Sequence, residues 1–332
     1  MTQEQEGLIT PNSELSPELK ELRVFKETIP VGEAKIGIFL IRSKSTQNLN
    51  LYDEVKRVVL VLPGLGESSQ KVGEETRLYH EKVLKLVVEG SPDTLFVVID
   101  PPGWGKSEIP ESQQAHFLSP SGKAMVLERV ALAIKNRIKE EPEKWIILAH
   151  SSGAPAAGRL ALWGPEFLGN ALYIFDGPSG FGPEFLKFQA LASEKMAKFP
   201  PLFLLVNQLG KKAAAGSFGV SPDNPYFNAY LEKLISQEKL GIHTQEAQLE
   251  ASSPLSLEEL IKTLGERIRF IGGENDQLVN NQKIRELLEK IFGEEKANEL
   301  IVLIPGAGHV SALTHPSESA QAFKSFLHTH GV

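Results

Sequence analysis

The sequence contains no cysteine in 332 residues, which excludes disulfides, zinc–thiolate sites and a thiol nucleophile together. Positive charge is in deficit: 35 Lys and Arg face 42 Asp and Glu, for a net charge of -7. No basic block offsets this, and a phosphate backbone needs a clustered positive field, so no nucleic-acid partner is expected. Long hydrophobic runs are missing too. VVLVL (58–62) and LFVVI (95–99) are strand-sized, well short of the roughly 18 residues of a membrane span. The start, MTQEQEGLITPNSELSPELKEL, has neither a basic n-region nor an apolar h-region. No signal peptide is read there, a cytoplasmic location is expected, and residues 1–22 read as a solvated extension. The eight histidines form no H-x-x-x-H or comparable pair, so no metal site is expected. GWGKS (103–107) resembles the end of a phosphate-binding loop, but Asp100 stands where that loop needs a glycine.

What is present is an alternation. Short β-branched runs, AKIGIFLI (34–41), KRVVLVL (56–62), TLFVVID (94–100), KWIILAH (144–150), NALYIFD (170–176), RIRFIGG (267–273) and ELIVLI (299–304), alternate with helical patterns. Several are continuously apolar, as strands covered on both faces of a parallel sheet should be. Leu127, Val130, Ala131, Ile134 and Ile138 share one helical face, with Ser121 as the expected N-cap. Ile284, Leu287, Leu288 and Ile291 repeat the spacing, and HPSESAQAFKSFLHTH reads as a closing helix. Together these predict an α/β fold, a doubly wound, mostly parallel sheet.

One interval breaks the rhythm. The stretch between the strands at 170–176 and 267–273 is far longer than a simple crossover and rich in helix formers. Residues 181–262 are therefore read as a helical cap inserted into a core of residues 23–180 and 263–332. Residues 181–230 hold nine of the chain's 25 aromatics, Phe181, Phe185 and Phe188 among them. They are expected either to core the insertion or to wall an apolar pocket with the sheet. Trp104 is a further candidate for that wall.

IILAHSSGAP (146–155) holds two adjacent serines where a strand gives way to a helix. A turn sharp enough to expose a nucleophile crowds the residues two before and two after it, which must be small. Ser151 has Ala149 and Gly153 at those places; Ser152 has His150 and Ala154, and an imidazole does not fit. Ser151 is the expected nucleophile. Alone the motif is weak, and Ser151 could simply cap the following helix. Pro155 suits that helix's first turn, and the Ser152 N–H there is free to meet an oxyanion. A serine also needs a base and a group to orient it. Asp276, in IGGENDQLV, and His309, in LIPGAGHVSAL, each follow a strand, where sites in parallel sheets collect. The loop VLVLPGLGESS offers a second oxyanion donor at Leu65 or Gly64, since Pro63 has no N–H.

LPGLGESS, IDPPGWGKSE, AHSSG, GGENDQLV and PGAGHVS, in that order, resemble the α/β-hydrolase superfamily over roughly residues 30–330. The resemblance implies a Ser151–Asp276–His309 triad, an oxyanion hole of two backbone amides, no cofactor, and a cap between the sixth and seventh core strands. The usual His-Gly of the oxyanion loop is Pro63-Gly64 here, and Ala149 replaces the first elbow glycine. VLPGLG with IDPPGWG is similar to small-ester hydrolases of the valacyclovirase type. PGLGES with HSSG is similar to fungal mycotoxin lactonases, in which the acid follows the preceding strand; that would be Asp176. The expected activity is hydrolysis of a small, fairly apolar carboxylic ester or lactone. The same fold also serves C–C bond hydrolases, iminopeptidases and amidases, and low-turnover ligand sensors that keep the triad.

Overall fold

The computed structural model of the chain describes residues 8–9, 14–46, 49–64, 67–179, 215–216, 218–234 and 237–328. The chain opens with strand β1 (Leu8–Ile9), the one-turn helix α1 (Pro17–Lys20) and a hairpin, β2 (Arg23–Val31) and β3 (Ala34–Arg42). Strand β4 (Arg57–Leu62) leads to a small ribbon, β5 (Gln70–Val72) and β6 (Glu75–Arg77), then helix α2 (Glu81–Val88). Next come β7 (Thr94–Ile99), α3 (Gln114–Leu118), α4 (Pro120–Lys135), β8 (Lys144–His150), α5 (Ala154–Trp163) and β9 (Leu172–Asp176). Helices α6 (Pro225–Leu234), α7 (Gln237–Ser252) and α8 (Leu257–Leu264) precede β10 (Ile268–Gly273). The chain closes with α9 (Asn281–Phe292), α10 (Glu294–Leu300), β11 (Ile301–Ile304), α11 (Ser311–Thr314) and α12 (Pro316–His328).

The main sheet runs β1-β2-β3-β7-β4-β8-β9-β10-β11. It is antiparallel through β3 and parallel from β7 onward. The continuous apolar runs are explained by the two faces. In β4, Val58, Leu60 and Leu62 enter one core with α4, α5, α8 and α9, while Val59 and Val61 enter the other with α2 and α12. Side chains alternate along a strand, so a strand covered on both sides needs an apolar residue at every position. Among the described residues, no helix is long and apolar enough to cross a membrane.

The chain's own details add a strand and correct two expectations. Strand β2 was not anticipated: RVFKETIPV mixes buried and half-exposed positions, because it lies near the sheet's antiparallel edge. Helix α4 is capped by Ser119, whose Oγ accepts from the Gly122 N–H at 3.0 Å, and Pro120 occupies the first turn, so Ser121 is not the cap. Residues 14–22 are no solvated arm either. Leu15, Leu19 and Leu22 are buried in the core that holds Val83 and Leu84 of α2, and the Ser16 hydroxyl donates to Glu81 Oε2 at 2.9 Å. The polar letters masked a leucine every third or fourth place.

Because Leu19 is 0% exposed, Leu19→Ala should lower the unfolding free energy in urea by about 2–5 kcal/mol. An unchanged midpoint would restore the reading of this segment as a solvated arm.

Candidate active site

Strand β8 runs out into a turn at Ser151, whose φ is +47°. A left-handed φ costs a residue with a side chain roughly 1–3 kcal/mol and persists only where the surroundings impose it. Here they do. Leu62 pairs with Ala149 in register, which lays the loop after β4 against the turn. A Cβ at Gly153 would stand 2.8 Å from the Leu62 carbonyl oxygen and 2.9 Å from that of Pro63. A Cβ at Gly64 would stand 2.9 Å from that of Ser151. Only glycine fits either place. The crowding that selected Ser151 in the sequence is therefore physical, and Ser152 is instead buried and faced by Glu250 of α7.

Three chain-distant residues meet at this turn. His309 Nδ1 lies 2.9 Å from Asp276 Oδ2, and His309 Nε2 lies 2.9 Å from Ser151 Oγ. A carboxylate only accepts, so Nδ1–H donates to Asp276 and the bare Nε2 accepts from the Ser151 hydroxyl. Asp276 is oriented by its own turn: Oδ1 accepts from the Leu278 and Val279 N–H groups at 2.8 and 2.9 Å. Burial alone would raise its pKa, but the His309 bond and these two amides hold it below the ordinary carboxylate value. Asp176, the alternative acid, does not reach His309 Nδ1. It ends β9 beside Ile271, accepts from Ser311 Oγ at 3.3 Å and faces His80 Nε2 at 3.7 Å.

The oxyanion donors need correction. The Gly64 N–H donates to Glu67 Oε2 at 2.8 Å, so it is not free for a substrate. Leu65 lies outside the described residues, as do Phe181, Phe185 and Phe188. Ser152 stands in the first turn of the helical segment after the elbow, where amides lack intrahelical partners. Trp104 does not wall an open pocket: it is 1% exposed, and its indole N–H donates to Glu246 Oε2 of α7 at 3.1 Å. The motif around it has another use. Asp100 accepts from the Ser69 N–H and hydroxyl and from the Lys106 N–H, at 2.6, 2.9 and 2.8 Å, tying the loop after β4 to the loop after β7.

Some neighbours were not anticipated. Ser179 Oγ lies 3.4 Å from Ser151 Oγ, and its N–H donates to the Ser151 carbonyl at 3.2 Å. The Phe218 ring meets the His309 ring edge-on at 5.8 Å. Beneath α7, Lys123 pairs with both Glu246 and Glu250, the latter at 2.8 Å, all three side chains buried. One ammonium cannot neutralise two carboxylates away from water, so burial pushes Glu250 up to about 7 despite Lys123. His243, buried beside the same lysine, is pushed down to about 4. Nothing in the sequence pairs Lys123 with residues more than 120 places away. Among the described residues, no group of His, Asp or Glu is arranged to hold a metal ion.

A doubly wound sheet with a strained serine turn at the carboxyl end of a central strand defines a structural class. The sequence profile of the alpha/beta hydrolase family matches residues 58–322, most of the chain, and the chain belongs to that family. No curated protein sequence matches it. Among solved structures, it is similar to a bacterial membrane phospholipase A (TM-score 0.62, 17% identity, covering 92% of this chain and 86% of that one). It is also similar to a thermophilic esterase from Thermogutta terrifontis with malate bound (TM-score 0.59, 15% identity, 92% and 98%). A third is a serine hydrolase involved in carbazole degradation, the CarC enzyme (TM-score 0.57, 15% identity, 92% and 98%). At these identities the likeness establishes a shared fold.

The buried Lys123–Glu246–Glu250 group makes stability depend on pH. A carboxyl whose folded pKa is raised stabilises the fold fully below its unfolded value, near 4.5, and that contribution is lost as pH rises through about 7. Glu250→Gln removes this titration. Measured by urea unfolding, the parent's stability relative to the variant should fall by on the order of 1–3 kcal/mol between pH 5 and pH 8. A difference that does not change with pH would contradict it.

Proposed function

We propose that this protein is a serine hydrolase that cleaves a small, fairly apolar carboxylic ester or lactone through an acyl-enzyme on Ser151. One observation carries the reading: Ser151 Oγ, His309 and Asp276 form a continuous hydrogen-bonded chain, each link 2.9 Å, on a turn strained enough to present the hydroxyl. Ser151 attacks the carbonyl while His309 Nε2 takes its proton, and Asp276 fixes the tautomer and stabilises the imidazolium that forms. The Ser152 amide, with a second from the loop after β4, stabilises the tetrahedral oxyanion, a contribution of about 3–4 kcal/mol for each donor. His309 then protonates the departing alcohol and activates water to release the acid. No cofactor is invoked.

The segment between β9 and β10, which includes α6, α7 and α8, serves as the cap in this reading. Phe218, Phe227 and Tyr230 form a contiguous aromatic group that reaches His309, with ring centroids 5.3–6.5 Å apart. The half-buried Phe218 ring beside His309 favours an apolar acyl or alcohol group, with Phe227 and Tyr230 buried behind it. Ester cleavage by fold neighbours, a phospholipase and an esterase, is in keeping with the assignment.

The test is multiple turnover of p-nitrophenyl butyrate and a panel of lactones and aminoacyl amides. A hydrolase continues past one equivalent, whereas a low-turnover sensor stops after a single burst. Ser151→Ala should abolish turnover, and a fluorophosphonate probe should label the Ser151 peptide and nothing else. Asp276→Asn should lower kcat by roughly 10²–10⁴, while Asp176→Asn lowers it far less. Persisting turnover in Ser151→Ala would end this reading.

A further inference from the structure

Behind the serine turn lies a second histidine that the hydrolytic scheme does not use. His150, the residue before Ser151, is fully buried, and each ring nitrogen faces an acceptor. Nδ1 stands 2.6 Å from Glu67 Oε2, and Nε2 stands 3.3 Å from the His309 carbonyl oxygen and 3.1 Å from the Tyr79 hydroxyl. Neither the carboxylate nor the carbonyl can donate, so only a ring protonated on both nitrogens bonds Glu67 and the His309 carbonyl together. A neutral ring that donates to Glu67 turns its bare Nε2 to the Tyr79 O–H instead. The same Glu67 oxygen accepts the Gly64 N–H, and the Glu67 N–H closes the turn onto the Gly64 carbonyl at 3.1 Å.

We propose that His150 and Glu67 form a buried imidazolium–carboxylate positioning pair that locks together the oxyanion loop, the nucleophile turn and the base loop. The proposal rests on the serine-hydrolase reading for its kinetic consequence, but not for the existence of the pair. His150 is continuous with Ser151, Glu67 grips the loop after β4 through Gly64, and the His309 carbonyl hangs from Nε2–H. A shift in any one loop breaks a bond to the other two, and small misplacements of reacting groups cost large factors in rate. The pair is also electrically matched to the reaction. The His150 and His309 rings are 5.1 Å apart, so an imidazolium lacking a counter-charge would oppose the charge His309 gains in the transition state. Glu67 cancels that opposition.

The other groups around His150 are consistent with its charge. Tyr79 and His80 face it from the turn before α2, Asp176 from the end of β9, and His309 from the loop after β11. Burial would depress His150, but Glu67 and, more weakly, Asp176 and the His309 carbonyl push it up to about 9. His80 is held below its ordinary value by burial and so adds no competing charge at neutral pH.

Two measurements test the pair, one independent of activity. In NMR titration of the full chain, His150 should stay protonated to about pH 9 and lose its proton at least one pH unit lower in Glu67→Gln, whose amide keeps the bonds and removes the charge. Titration of the parent's His150 below pH 7.5 would overturn the pair. In p-nitrophenyl butyrate turnover, the parent's kcat should decline above about pH 9. Glu67→Gln should move that limb down by at least one unit and lower kcat about tenfold at pH 7.5, with KM within about threefold. His150→Gln should remove the limb and lower kcat across the range, and it decides the matter if Glu67→Gln does not fold. A parent profile flat to pH 10.5, or variants that keep the parent's kcat and limb, would overturn the positioning role. If the parent shows no turnover while His150 titrates as expected, the hydrolase reading fails and the ion pair stands.

Discussion

The left-handed turn at Ser151 is the constraint on which the rest of the site depends. A residue with a side chain occupies that conformation only when neighbouring backbone leaves no alternative, and here the backbone of Leu62, Pro63 and Gly64 presses against it. Those contacts follow from the in-register pairing of β4 with β8. The strain at one residue is therefore borne by two strands buried at every position but the first, whose apolar residues on both faces anchor them between helix layers. Strand pairing, loop approach and the strained conformation of Ser151 are links of one chain of causes.

Around that turn the protein buries several charged groups, and in each case they join separate segments of the chain. Asp276 and His309 join the loops after β10 and β11 to Ser151. Glu67 and His150 join the loop after β4 to the turn, and Asp100 joins it to the loop after β7. Lys123, Glu246 and Glu250 join α7 to α4 beneath Ser152. Buried ionic groups contribute little net stability, because desolvation offsets attraction, yet each leaves few alternative geometries once formed. Such groups suit a site whose parts come from many loops. They also tie its geometry to pH, through Glu250 near neutrality and His150 on the alkaline side.

Much of this was legible in the sequence, for local reasons. Seven strands were readable because double-sided burial writes itself as uninterrupted apolar runs. Ser151 was readable because a tight turn demands small residues at fixed offsets. Asp276 and His309 were readable because the carboxyl ends of parallel strands lie on one edge of the sheet. Elsewhere local signals misled. Gly64 looked like an oxyanion donor until Glu67 was seen to occupy its N–H, and Trp104 looked like a pocket wall until Glu246 was seen to bind its indole. The acidic start concealed Leu15, Leu19 and Leu22, since charge dominates a reading by composition while burial follows individual leucines.

By itself, the sequence determined the alternation behind the layer architecture and the identity of the strained serine. Each of these follows from periodicity or steric size within a few neighbouring residues. Only the tertiary structure brought Asp276 rather than Asp176 to His309 Nδ1, committed the Gly64 amide to Glu67, and set His150 between two acceptors. Those outcomes depend on distances between groups up to 159 residues apart, and a hydrogen bond is fixed by where its atoms meet in space, which no local spacing encodes.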